Sequence, residues 1–520
     1  MTKTIGEISE FPRHLDDIPE QFQPWDVEIT EYLDGTLKKH EGGFQKVYSP
    51  IINKFVGTPA EPCYLGNYPL MTVAQAESVL QTAIKAWASG TGEWPRMSWQ
   101  QRITHIEKFI EMMKSRRDAI VRILMWEIGK TSKDSFKEFD RTIEYIQKTI
   151  IEYRLLNEGT DDFRLTEGLL ARVPRTPIGV TLCMGPFNYP LNETLTIIIP
   201  ALIMGNVVIY KPAKYGVLLN APLLECFAEA FPQGVVGTVF GDGQTVITPL
   251  MQSGKIDCFA FIGLSSTADK IVKNHPNPHR LRMILGLEAK NPAVIFANAD
   301  IDSAVRECIT GSLSFNGQRC TAIKIIFVQK LIADEFVKKF SEAVDALPLG
   351  MPWDDQSLEG SPMQTPMPEV GKIQWMGDYI TDAIFKGAQT TNLRAGMPHH
   401  TMMIPAVLYP VNPSMKIYHE EQFGPVVPIV PYDDLAEVVQ YMENSPYGQQ
   451  ISLFTPSKEI DKLITQLANM VCRININMQC QRGPDILPFT GRKNSAMGTL
   501  SIYDALRSFS IRTVIAKREE

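Results

Sequence analysis

One of the eight cysteines stands in a setting suited to covalent chemistry. Cys320 follows Phe315-Asn316-Gly317-Gln318-Arg319, between a helical stretch at 303–313 and a mostly apolar strand at 321–328. A thiol at such a junction is placed to attack, and the adjacent Arg319 favours the thiolate, which is the reactive form. The competing reading is a buried structural thiol, the common fate of a free cysteine. The cysteines at 63, 183, 226, 258, 308, 472 and 480 read as structural, and no CxxC or zinc spacing occurs. The eight histidines fall in no catalytic-looking motif. A Cys–His dyad is therefore not indicated, no metal is expected, and the thiolate needs another source of activation.

Other candidates lie at the ends of apolar runs. Asn188, in Met184-Gly185-Pro186-Phe187-Asn188-Tyr189-Pro190, sits in a rigid turn, where its amide would serve a developing oxyanion or ordinary turn chemistry. Lys211 and Lys214 close the run 207–210, at the edge where α/β sheets bind ligands; as solvated lysines they would carry no function. Gly241, Gly243 and Gly263 follow two more runs, where a dinucleotide's phosphates approach backbone N–H groups. Val246 breaks the GxGxxG fingerprint, so alone they are as consistent with plain turns.

The elements that must position these residues are legible as rhythm. Short apolar runs at 179–184, 207–210, 235–240 and 259–262 alternate with stretches long enough for crossover helices. A second series runs at 293–296, 321–328, 404–408, 426–430, 451–454 and 473–478. Such spacing predicts two α/β lobes with open, mostly parallel sheets whose strands are buried on both faces. Thr72 with Gln75, and Ser98 with Gln101, are capping-box pairs ahead of amphipathic helices. The span 98–129 reads as one long helix or two shorter ones, and another runs over about 132–153. Residues 1 to about 70 show little periodicity and read as an N-terminal arm. The segments 162–177 and 508–517 alternate like exposed strands.

Composition bounds the function. The chain of 520 residues has 44% hydrophobic and 21% charged residues and a net charge of −7. That balance argues against a dedicated nucleic-acid binder. The best apolar stretch, 197–205, is about half of what a bilayer needs and contains Pro200. The first residues lack an apolar leader region, so a cytoplasmic protein is expected.

In chain order, these signals become specific. Over roughly 70–515 the sequence resembles the aldehyde dehydrogenase superfamily. The resemblance rests on Arg175-Thr-Pro-Ile-Gly179, Pro186-Phe-Asn-Tyr-Pro190, Lys211-Pro212, Phe261-Ile-Gly263, Lys290-Asn-Pro292, Gly317-Gln-Arg-Cys320 and Glu421-Gln-Phe-Gly-Pro425. Within it the chain is most similar to the non-phosphorylating, NADP-dependent glyceraldehyde-3-phosphate dehydrogenases. Asn188-Tyr189, Gly317-Gln-Arg-Cys-Thr-Ala322 and Gln481-Arg-Gly-Pro-Asp485 with Pro488-Phe489 carry that narrower match. The resemblance implies a Rossmann-like cofactor domain from 1–154 with 178–286 and a catalytic domain over 287–500. It also implies bridging, oligomerising strands at 155–177 and 501–520.

The resemblance implies Cys320 as nucleophile, with its own N–H and the Asn188 amide as oxyanion hole. Lys211 and Glu421 would hold the cofactor's riboses, with Gly263 near the pyrophosphate and Phe423 beside the nicotinamide. Arg141, Tyr189, Arg319 and Arg482 would bind substrate phosphate, for which guanidinium forks are suited. Lys214 stands where NAD-preferring members often carry an acid, which favours NADP over NAD.

The stretch Met363–Val370 departs from the subfamily pattern and carries no chemical clue, and there is one more serious departure. The superfamily's general base is a glutamate in L-E-L-G-G-K, and here the stretch reads Leu285-Gly286-Leu287-Glu288-Ala289-Lys290. Either Glu288 serves as base from two residues on, or another acceptor does, or the acyl group passes to coenzyme A. The expected activity is oxidation of a small aldehyde, with glyceraldehyde 3-phosphate the leading case. The alternatives are a CoA-acylating or acyl-reducing dehydrogenase and a catalytically weak structural or binding protein. A homo-oligomer, dimer or tetramer, is expected by analogy.

Overall fold

A computed structural model describes residues 8–53, 61–160, 162–354, 364–456 and 460–518. Residues 1–7, part of the stretch read as lacking an apolar leader, and Met363, the start of the stretch 363–370 that departs from the subfamily pattern, lie outside them.

Two mostly parallel sheets organise the chain. The first has the strand order Val236–Thr238, Val207–Tyr210, Val180–Met184, Cys258–Ile262, Arg282–Gly286 and Ala496–Met497. All neighbours are parallel except the last pair. The strands Val207–Tyr210 and Val180–Met184 are buried along nearly their whole length, because helices cover both faces. The second sheet runs Gln389–Thr390, Ala406–Tyr409, Val426–Tyr432, Ile323–Gln329, Asn291–Ile295, Gln450–Phe454 and Arg473–Ile476. The predicted apolar runs are therefore strands of the two sheets, with ends shifted by a residue or two, while Arg282–Gly286 and Gln389–Thr390 are not among those runs. One short strand crosses this division: Ala496–Met497 follows the second sheet in sequence yet pairs with Arg282–Gly286 of the first.

Both capping boxes form. Thr72 accepts from the Gln75 N–H ahead of helix Val73–Trp87, and Ser98 accepts from Gln101 N–H ahead of Trp99–Lys114. The span 98–129 is two helices, Trp99–Lys114 and Arg117–Ile128, which break at Ser115-Arg116. The next helix, Ser132–Asn157, packs on both Arg117–Ile128 and Asn192–Ile203.

The N-terminal arm is more ordered than its sequence rhythm suggests. It holds the hairpin Glu31–Asp34 with Thr36–Lys39, and the antiparallel pair Phe44–Asn53 with Glu61–Pro69. The pair shifts register near Val47 and Tyr48, which scrambles the period-two pattern that would have announced it. The alternating segments are strands, and they pair with each other. Leu169–Arg172 lies between Arg164–Thr166 and Ile515–Arg518, and Arg175–Pro177 pairs with Ser510–Arg512. Among the described residues no helix is long and apolar enough to cross a membrane.

Candidate active site

The carboxyl ends of the first sheet's strands open into one cleft of about 1070 Å³. Asn188, Lys211, Gly263 and Glu288 each follow such a strand end and line it. Cys320, Arg319, Glu421, Phe423 and Arg482 line it from the second lobe, and Arg141 and Tyr189 complete its wall. The fold thus brings the twelve candidates for catalysis, cofactor and substrate, Lys214 included, into one cavity, whereas Gly241 and Gly243 do not line it. That is the usual binding edge of an open α/β sheet.

The cysteine's position depends on an unusual backbone. Helix Ile301–Leu313 ends, and Phe315, Asn316 and Gly317 then take left-handed φ values of 50°, 55° and 69°. At Gly317 a Cβ would lie 2.8 Å from the carbonyl oxygens of Gly424 and Ser312, so only glycine fits. The Asn316 amide holds the turn, donating to the Thr365 carbonyl (3.1 Å) and accepting from the Thr365 N–H (2.9 Å). Cys320 emerges half-buried, its carbonyl held by the Asn291 amide at 2.9 Å.

Burial pushes the Cys320 thiol above its ordinary range. The strongest opposing influence is Lys324, four residues on in strand Ile323–Gln329, with Arg319 a weaker one and the Thr321 N–H a further help. Arg319 thus does favour the thiolate, but less than Lys324, which the sequence did not single out. Its Nη2 is turned to the carbonyls of Thr310 (3.0 Å) and Gly311 (2.7 Å), at the end of helix Ile301–Leu313.

Asn188 is buried in the turn before helix Asn192–Ile203. Its Nδ2 donates to the Gln318 carbonyl at 2.7 Å, which ties it to the loop that carries Cys320. A primary amide has a second N–H, and for that one no partner is found among the described residues.

The cofactor candidates form a second group. Burial holds the Lys211 ammonium below its ordinary range, and it donates to the Pro212 carbonyl at 3.2 Å. Lys214 is exposed and makes no ion pair among the described residues. Glu421 pairs with the buried Lys324 and accepts from the Ala289 N–H at 3.3 Å, both through Oε1. Lys324 in turn lies 4.8 Å from the centre of the Phe423 ring. Gly263 donates its N–H to the Gly286 carbonyl at 3.0 Å.

Glu288 is placed in the cleft but already engaged. Ser265 donates to it twice, from its N–H (2.8 Å) and its hydroxyl (3.1 Å). The carboxylate so caps helix Ser265–Val272. The sheet register explains this: Ile262 lies opposite Gly286, so the residues just beyond each strand are neighbours.

The arginines arrive with partners. Arg141 binds Asp485 through both oxygens, at 2.9 and 2.6 Å. Arg482 pairs with Glu193 and lies 3.4 Å from Asp485. Even so, Arg482 Nη2 and Arg319 Nε are buried without a hydrogen-bond partner among the described residues. Tyr189 stacks under the Lys130 ammonium, 3.7 Å from its ring centre.

Residues 55–515 match the sequence profile of the aldehyde dehydrogenase family. The chain belongs to that family. It is 31% identical over 451 residues to the NADP-dependent glyceraldehyde-3-phosphate dehydrogenase of Streptococcus equinus, covering 85% of this chain and 91% of that one. It is 27% identical over 402 residues to a 3-sulfolactaldehyde dehydrogenase of Priestia aryabhattai, covering 76% and 82%. The crystal structure of the NADP-dependent glyceraldehyde-3-phosphate dehydrogenase from Bacillus halodurans C-125, complexed with NADP, superposes with a TM-score of 0.84. Identity there is 28%, over 95% of this chain and 100% of that one. This family member is accordingly an oxidoreductase acting on aldehydes, with the family's fold.

Sequence reasoning missed several residues that shape the site. Lys324, Lys130, Glu138 and Glu193 carry charge into places less than one-tenth exposed. The available signal was a charge inside an apolar element, Lys324 in strand Ile323–Gln329 and Glu193 in helix Asn192–Ile203, as with Glu127 in Ile123-Leu-Met-Trp-Glu-Ile128. No local signal names its partner.

Proposed function

We propose that this chain oxidises a small anionic aldehyde to its acid with NADP, through a thioester on Cys320, with glyceraldehyde 3-phosphate the leading substrate. The observation that carries the substrate class is the pair of buried, unpartnered guanidinium N–H groups, Arg482 Nη2 and Arg319 Nε, in the cleft that holds the thiol. Buried donors are normally satisfied, and an anionic oxygen satisfies both. Phosphate and sulfonate share that chemistry, as the relatives acting on either suggest.

The residues present fit NADP. Lys211, Lys214 and the second oxygen of Glu421 supply two cations and an acceptor for ribose hydroxyls and a 2′-phosphate. The unpaired Lys214 favours NADP, with NAD the weaker alternative. When bound, NADP supplies the hydride acceptor.

The chain's own residues do the rest. The Cys320 thiolate adds to the aldehyde carbon, and the spare Asn188 N–H with the Cys320 N–H stabilises the resulting oxyanion. Arg141 and Asp485 position Arg482, and Tyr189 walls the substrate. After oxidation the acyl group is a thioester on Cys320, which water cleaves, with Glu288 as the base once it releases Ser265. A second reading draws on the same carboxylate: with both Glu288 oxygens engaged and no side chain at Gly286, coenzyme A would be the acyl acceptor.

The first sheet then serves the cofactor and the second the nucleophile. The exposed Leu165, Leu169, Val514 and Ile515 around the small sheet make a homo-oligomer part of the same proposal, in a cytoplasmic enzyme. The test is NADPH formation from glyceraldehyde 3-phosphate against uncharged glyceraldehyde, with NADP or NAD, with and without coenzyme A. Turnover with the phosphorylated aldehyde and NADP alone supports the proposal. Equal efficiency with the uncharged aldehyde removes the anion, and an absolute need for coenzyme A selects the second reading.

A further inference from the structure

The strands Val180–Met184 and Val207–Tyr210 are neighbours in the first sheet, and the turns that follow them carry Asn188 and the two cofactor lysines. Both turns meet the end of a single helix. Helix Arg117–Ile128 stops at Gly129, which has φ 68°. A Cβ there would lie 1.9 Å from the Pro366 carbonyl oxygen, so the chain reverses where no side chain fits. Glu127 and Lys130 flank this elbow, 1% and 0% exposed.

Each grips a different turn. The two oxygens of Glu127 accept from the N–H groups of Val217 (2.8 Å) and Leu218 (2.9 Å), at the end of the lysine-bearing turn. The Lys130 ammonium donates to the Asn188 carbonyl at 2.8 Å and pairs with Glu138. The other Glu138 oxygen accepts from the Leu191 (3.1 Å) and Asn192 (3.0 Å) N–H groups, just past Asn188. The same ammonium lies 3.7 Å from the Tyr189 ring centre and 4.6 Å from that of Phe315, which precedes the nucleophile's turn. The two turns also touch. A Cβ on Gly216 would sit 2.5 Å from the Pro190 side chain, and the Phe187 and Tyr215 rings meet edge-on at 5.9 Å.

We infer that Glu127 and Lys130 are positioning residues with separate duties: Glu127 sets the turn that holds Lys211 and Lys214, and Lys130 with Glu138 sets the turn that presents Asn188 and Tyr189. The inference rests on the aldehyde-oxidising reading of this cleft. A buried ion pair is a poor source of stability compared with apolar packing, because both ions lose their water. What this pair supplies is direction: it fixes one carbonyl and two N–H groups of the turn bearing the oxyanion donor. Displacing such a donor by about 1 Å is enough to cost on the order of 10²-fold in rate.

Three variants test this, Glu127→Gln, Glu138→Gln and the charge-neutral double Lys130→Met/Glu138→Gln. The readouts are NADP dissociation constant by fluorescence titration, burst rate, melting temperature, and alkylation rate of Cys320 by iodoacetamide. Glu127→Gln should weaken NADP about 5- to 20-fold with a smaller change in the burst rate. The double variant should lower the burst about 30- to 300-fold and shift alkylation of Cys320, through the Asn188–Gln318 contact, while NADP affinity changes less than threefold. Glu138→Gln keeps the side chain's shape but leaves the Lys130 ammonium without its counter-ion, so it should give the same pattern with a deeper fall in melting temperature than the double variant. Parallel losses in every readout, tracking the melting temperature, would mean that the elbow only holds the fold and would overturn the inference. Cofactor affinity and alkylation need no aldehyde, so they decide the matter even if the parent oxidises none; that separate failure would instead overturn the proposed function.

Discussion

Glu288 offers the sharpest test, because the structure gives its work a cost. As a base it must release one or both hydrogen bonds from Ser265. Bonds to a charged carboxylate contribute about 1.5–3 kcal/mol each. Glu288 is half-buried, so solvent screening reduces the pair to about 2–3 kcal/mol in total. At 1.36 kcal/mol per factor of ten, releasing both divides the base's availability by about 30 to 150. A general base contributes about 10²- to 10⁴-fold. The net gain left to Glu288 is therefore roughly 1- to 300-fold, on the same two figures. Glu288→Gln should leave the first-turnover burst of NADPH intact and lower the steady state within that range. The acyl group should then be found on Cys320 by mass spectrometry of the quenched protein. Ser265→Ala removes only the hydroxyl's bond, and should raise the steady state about 3- to 10-fold, as for one weakened hydrogen bond. An unchanged steady state in Glu288→Gln, with no adduct and no gain in Ser265→Ala, refutes the reasoning and leaves Glu288 as a helix cap.

Cys320→Ser should abolish dehydrogenation with little change in NADP affinity, since a hydroxyl without a base is a poor nucleophile; equilibrium titration and an NADPH assay check it. Lys324→Met should move the pH profile of Cys320 alkylation upward. It removes the strongest influence lowering that thiol and leaves Glu421 unpaired, and both effects disfavour the thiolate. Lys214→Glu should cut the preference for NADP over NAD by about 5- to 30-fold, the worth of one exposed charge-assisted contact, read from the ratio of kcat/KM values.

What was legible in the sequence follows the physics of each feature. Strands buried on both faces are continuous apolar runs, so most strands of both sheets could be traced before any pairing was known, but not Arg282–Gly286 or the short edge strands Gln389–Thr390 and Ala496–Met497. Cys320 and Asn188 stood out because their turns demand particular residues, as Gly317 shows. Pairings across the chain left no local mark. Arg141 meets Asp485 across 344 residues, and nothing in either neighbourhood announces it. Glu288 was readable as the carboxylate nearest the vacant base position. Its attachment to Ser265 was not, since it depends on the register of Ile262 against Gly286. The N-terminal strands were missed because a bulged pair loses the alternation by which strands are recognised.

The arginine cluster shows why a motif alone does not settle a role. Arg141, Arg319 and Arg482 stand against Glu193 and Asp485, leaving one positive charge in surplus. Removing Arg482 therefore does two things: it deletes the free Nη2 donor and it strands the buried Glu193. Breaking a buried pair costs about 3–5 kcal/mol of stability. Arg482→Ala should thus lower the melting temperature and also raise KM for a phosphorylated aldehyde far more than for an uncharged one. Adding Glu193→Gln separates the causes, because the double variant removes a neutral pair and keeps the surplus charge. If the free donor binds the anion, the double variant regains stability while its KM for the phosphorylated aldehyde stays high. Recovery of both would show that Arg482 serves only to neutralise Glu193, and that Arg319 alone provides the attraction.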